Sequence, residues 1–114
     1  NPNNHPKTSD RVNNYSNKLT AYSHNHVRVK NDKTVMINDK EIITPVKTSQ
    51  YLAEERAYLI AGNLAKVYHS NQIFTSTISD DGTVYIGNQK ISSLTENDIS
   101  PEVLSDRLDE VNYK

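Results

Sequence analysis

The chain has no cysteine and no tryptophan, and only three glycines, four prolines and one phenylalanine in 114 residues. Without cysteine there are no disulfides, thiolate metal centres, iron–sulfur clusters or cysteine nucleophiles. Three glycines leave no glycine-rich loop to cradle phosphate, and neither a P-loop nor a dinucleotide fingerprint is found. No apolar run approaches the roughly 18 residues that a membrane-spanning helix needs. Neither charge sign dominates, since 13 Lys and Arg face 14 Asp and Glu for a formal net charge of -1. That balance excludes a strongly basic nucleic-acid binder and predicts no nucleic-acid partner. Only 34% of residues are hydrophobic, and the mean hydropathy is -0.77. The length supports one modest domain. The chain begins at Asn1 without the charged-then-apolar layout of a signal peptide, which predicts a processed piece of a longer product.

What is present is unevenly spread. Residues 1–26 hold five apolar side chains (Val12, Tyr15, Leu19, Ala21, Tyr22) and seven of the 14 asparagines. So little buriable surface does not offset roughly 1–2 kcal/mol per ordered residue. Residues 1–26 are therefore predicted to be a flexible Asn-rich tail, and 27–114 a single domain. Residues 1–30 carry Lys7, Arg11, Lys18, Arg28 and Lys30 against Asp10, while the remainder is acidic. The plain reading of this tail is a solvated linker, and the sharper one a tether resting on a membrane or wall surface.

From Val27 the pattern is strand-like. Strands at 27–30, 34–37 and 41–44 are separated by two Asn-Asp-Lys turns that begin at Asn31 and Asn38. Asn and Asp tolerate positive φ and bond their own backbone, which suits tight antiparallel connections. Pro45 then halts the sheet, and Thr48 or Ser49 is placed to cap a helix running to about Ser70. Ala53, Ala57, Ile60, Ala61, Leu64, Val67 and Tyr68 share one face of that helix, which must cover the sheet. Tyr51, Tyr58, Ala65 and His69 fall on the far side, with Gly62 beside them. A mid-helix glycine costs about 1 kcal/mol relative to alanine, so its missing side chain points to a use. Tyr51, Tyr58, Gly62 and His69 are the candidate contact surface for a partner or a second copy. The alternative is that the tail or the C-terminal helix lies across them. A hairpin follows through Asp80-Asp81-Gly82, from residues 72–79 to 83–86, and Ile91 adds a short third strand. Ser100 as cap, Pro101 as first residue and Glu102 in the first turn predict a last helix ending near Asn112. The fold expected is α+β, a mostly antiparallel sheet in the order β-β-β-α-β-β-(β)-α with its helices on one face.

Little here suggests chemistry. Of the four histidines, His5, His24 and His26 lie in the predicted tail, and His69 ends a helix, where its charge complements the dipole. No nucleophile-elbow motif surrounds any serine. The pairs Glu54-Glu55 and Asp80-Asp81 are adjacent residues whose side chains diverge, which makes them poor acid–base couples. His24-Asn25-His26 has a metal-like spacing, but no further ligand is fixed nearby, so neither metal nor cofactor is expected. Asn14-Tyr15-Ser16 matches the glycosylation acceptor pattern, which polar tails often meet by chance. No enzymatic activity is predicted.

Val27-x-Val29, Val35-x-Ile37, Glu55-Arg56-Ala57, Ile60-Ala61, Leu64-Ala65-x-Val67 and the strand from Ile73 resemble the BON-type module of bacterial envelope proteins. The Asn-rich start and Thr83-Val84-Tyr85-Ile86 are similar to the related sporulation lipoproteins. Where such modules carry a glycine between helix and strand, this chain has His69-Ser70-Asn71-Gln72. The resemblance implies a non-catalytic, extracytoplasmic module that binds protein partners, lipid surfaces or copies of itself, anchored through a lipid-modified cysteine just before Asn1. The alternative expectation is a small cytosolic regulator of phage or plasmid type, inhibiting a protein target through its acidic face.

Overall fold

The computed structural model describes residues 26–70 and 75–112, so the expectations for residues 1–25, with His5, His24 and Asn14, and for the strand start at 72–74 lie outside the described residues. The fold is α+β. Its elements are β1 (Val27–Lys30), β2 (Thr34–Ile37), β3 (Lys40–Ile43), α1 (Ala53–His69), β4 (Ser76–Ile78), β5 (Val84–Ile86), β6 (Gln89–Ser92) and α2 (Pro101–Asn112). The strands form two separate three-stranded antiparallel sheets, β1-β2-β3 and β4-β5-β6, rather than one continuous sheet. The physical reason lies at the edge of β3. Arg107 of α2 donates to the Ile42 carbonyl at 2.9 Å, and the Lys40 ammonium pairs with the Glu110 carboxylate. A helix thus covers the strand edge that a longer sheet would need.

The two halves of the chain repeat each other. β1 and β2 pair Val27 with Ile37, Arg28 with Met36 and Val29 with Val35. β4 and β5 pair Ser76 with Ile86, Thr77 with Tyr85 and Ile78 with Val84, the same register 49 positions on. The second and third strands of each sheet slip by one residue at the same place, between Val35 and Met36 and between Val84 and Tyr85. Asn38 and Gly87 occupy the matching turn position, with φ of 56 and 59. The helices match with a shift of 48: Arg56 N–H donates to the Leu52 carbonyl and Leu104 N–H to the Ser100 carbonyl, both at 3.1 Å.

α1 lies on β1 and β2 of its own half and on β6 of the other, while α2 lies on β4, β5 and β3. The swap joins both sheets and both helices into one core, with Val35, Ile37, Ala57, Leu64, Val84, Ile86, Leu104 and Leu108 among its buried members. α1 is therefore clasped from two sides. Tyr58 and Ala65, on the side expected to be open, are buried along with Ala57, Ile60, Ala61, Leu64, Val67 and Tyr68. The helix also starts at Ala53, later than Thr48 or Ser49 would place it. The Thr48 hydroxyl accepts the N–H groups of Gln50 and Tyr51 at 3.2 and 3.1 Å, which closes a local turn before the helix begins. Glu55 then receives the Leu52 N–H at 3.2 Å and opens α1. At α2 the expected signals operate: Ser100 Oγ accepts the Val103 N–H at 3.2 Å, and the helix runs from Pro101 to Asn112.

Candidate functional site

The connection 44–52 and the connection 93–100 meet over the start of α1, and a buried ion pair holds them together. Arg56 is 6% exposed. Its guanidinium donates to both carboxylate oxygens of Asp98, at 3.0 and 2.9 Å, and to the carbonyls of Val46 at 2.6 Å and Ser93 at 3.2 Å. Asp98 also accepts the N–H groups of Val46 and Thr95 at 3.0 and 2.8 Å, and the Thr95 hydroxyl at 3.1 Å. Burial by itself would raise the Asp98 carboxyl, but Arg56 and these N–H donors outweigh it and hold it below the ordinary range. The pair is fully satisfied, which fits a structural clip.

Beside the clip lies a groove of about 380 Å³. One wall is α1, through Leu59, Ile60 and Asn63; the other is β6 and the segment after it, residues 90–95; the end is closed by residues 48–51. Asn63 spans the floor, its amide donating to the Ile91 carbonyl at 3.0 Å. Tyr51 is 45% exposed and Leu59 37% exposed, and both line the groove. Much of the polar lining is turned to structural use: Thr48 in its turn, Ser92 bonded to the Ser93 carbonyl at 2.6 Å, and Thr95 to Asp98. Lys90 and Arg56 are the charged residues of the lining.

Of the four residues expected to form one surface, the structure brings Tyr51 to the groove and leaves half-buried Gly62 on the helix one residue from Asn63. A Cβ at Gly62 would meet nothing within 4 Å, so no packing inside this chain requires the glycine. Tyr58 is not an open anchor. It is 5% exposed and its hydroxyl donates to Asp32 in the β1–β2 turn at 2.8 Å. Burial pushes its phenol well above the ordinary range, and Asp32 adds to the rise. His69 is exposed in the last turn of α1, eleven residues beyond Tyr58, and does not line the groove. Leu59, Asn63, Lys90 and Leu94 were not singled out from the sequence; an exposed leucine beside the apolar stripe of α1 was the one local hint. Among the described residues no three His, Cys, Asp or Glu side chains converge as metal ligands, and no helix is long and apolar enough to cross a membrane. Elsewhere, Ser76, Ser105 and Asp109 form a polar knot. The Ser76 hydroxyl donates to Asp109 at 2.8 Å and contacts the Ser105 hydroxyl, which ties α2 to β4.

No protein-family model, curated protein or solved structure matches this chain.

Proposed function

We propose that the chain is a non-catalytic protein-binding module that seats a partner polypeptide in the groove between α1 and β6. The observation that carries this reading is the groove itself, open, about 380 Å³ and edged by the exposed side chains of Tyr51 and Leu59. Its outward surfaces are a tyrosine ring and aliphatic groups, the kind of surface on which interface anchors rest. Its lining holds no histidine and no carboxylate, the commonest general bases. The resemblance to envelope modules favours an extracytoplasmic setting, as the soluble part of a membrane-anchored envelope or spore protein. The runner-up is the cytosolic regulator. It draws on the exposed acids Glu102, Asp106 and Glu110 of α2, with exposed Val103 beside them.

Site-specific photo-crosslinking in cells that make the protein separates these readings. A crosslinker in place of Leu59 is expected to capture a discrete partner, and Tyr51→Ala to abolish the capture. Capture only from position 106 would favour the acidic face of α2. Capture only of a second copy would make the module self-assembling.

A further inference from the structure

Because the two halves repeat, the groove has a twin, and the twin shows what the groove lacks. The matching hollow, of about 300 Å³, is lined by Lys40, Glu41, Ile42, Arg107 and Glu110, between β3 and α2. Its charges balance, two cations against two anions, and one pair of them is joined. Lys40 pairs with Glu110, and Arg107 crosses to the Ile42 carbonyl at 2.9 Å. Glu41 of the hollow corresponds to Lys90 of the groove, Ile42 to Ile91, Arg107 to Leu59 and Glu110 to Gly62. The strand position is thus reversed in charge, and both charged helix positions are gone. In the groove Arg56 is neutralised by Asp98, which leaves Lys90 as the cation of the lining with no carboxylate beside it. Where the twin keeps Glu110, a mid-helix glycine stands with open space above it.

We infer that the occupant of the groove is an extended segment of a partner protein bearing a carboxylate next to an apolar side chain. This inference rests on the protein-binding reading above and adds the chemistry of the ligand. The carboxylate meets Lys90, for which the groove lining supplies no anion of its own. The apolar side chain lies on Tyr51 and Leu59, and the bare backbone at Gly62 lets the segment approach α1 closely. A carboxylate–ammonium contact beside apolar walls is less screened by water than a surface pair, so it adds selectivity for acidic segments.

The test pans a phage-displayed random heptapeptide library against the full chain, then measures selected synthetic peptides by fluorescence anisotropy. The expected result is enrichment of peptides with Asp or Glu adjacent to Leu, Ile, Phe or Tyr. Converting that acid to its amide should weaken binding at least tenfold. Lys90→Gln and Gly62→Glu should each cost at least tenfold, the second by placing a like charge over the groove, and Tyr51→Ala should also weaken binding. Glu110→Gln, in the twin hollow, should change nothing. Selected peptides that need Tyr51 but bind equally as acid or amide would overturn the acidic ligand while the protein-binding reading stands. Failure to enrich any peptide, or peptides indifferent to both Tyr51→Ala and Gly62→Glu, would overturn both. Preferential binding of a peptide copying residues 1–25, or concentration-dependent dimers abolished by Gly62→Glu, would replace the partner by this chain itself.

Discussion

At the scale of single residues, Arg56 is a buried, paired side chain that a sequence reader would place on the surface. An arginine on an amphipathic helix reads as solvated, and its partner Asp98 sits 42 positions away in a connection. Their side chains are 7% and 0% exposed, so removing one partner strands a buried charge. Asp98→Ala is expected to cost about 3–5 kcal/mol in urea denaturation. The pair also sets an acid limit. A carboxyl held below its unfolded value stabilises the fold fully above the ordinary carboxyl range, and that contribution is lost as pH falls through the folded value. Stability should therefore drop on acidification below about pH 4, and the drop should be shallower in Asp98→Asn. Gly62 carries the opposite expectation. With nothing within 4 Å of a Cβ there, Gly62→Ala should raise stability by about 0.5–1 kcal/mol, read as a higher Tm. A loss instead would mean that the chain itself packs against that spot.

Elements were legible where local chemistry decides them. Asn31, Asp32 and Asn38 all adopt positive φ, as do Gly82 and Gly87, so the turns were readable from residue type alone. The Ser100-Pro101-Glu102 start of α2 was readable for the same reason. The start of α1 was not, because the hydroxyl of Thr48 serves a turn first and the helix opens on Leu52. The open side of α1 was misread for a tertiary reason: a helix clasped by two sheets buries a wider arc than one lying on a single sheet. The repeat was in plain view as Thr34-Val35-x-Ile37 and Thr83-Val84-x-Ile86, but the seven-residue echo of Asn-Asp-Lys drew attention to a shorter period. The matching of Asn38 and Gly87 yields a direct test. Gly87→Ala should cost about 1 kcal/mol because a Cβ disfavours the left-handed backbone. Gly87→Asn should cost clearly less by thermal melting, since its counterpart already uses asparagine.

On the scale of the whole molecule, neither half has a core of its own. Each helix rests on strands of both sheets, so breaking one half uncovers the other. Unfolding should accordingly be a single transition, with far-UV circular dichroism and tyrosine fluorescence tracing the same urea curve. Two separated curves would show that the halves are independent. The same interlocking explains why the groove could not be read from the sequence. It joins Tyr51 and Leu59 to Lys90 and Leu94 across more than thirty residues and between two sheets whose separation no local pattern announces. The repeat places two equivalent clefts, and the charges that bridge one are missing from the other. The most direct test is amide shift mapping by NMR during titration of the full chain with a displayed acidic peptide. The account predicts changes concentrated at Tyr51, Leu59, Gly62, Asn63 and Lys90, whereas changes centred on Glu102, Asp106 and Glu110 of α2 would contradict it.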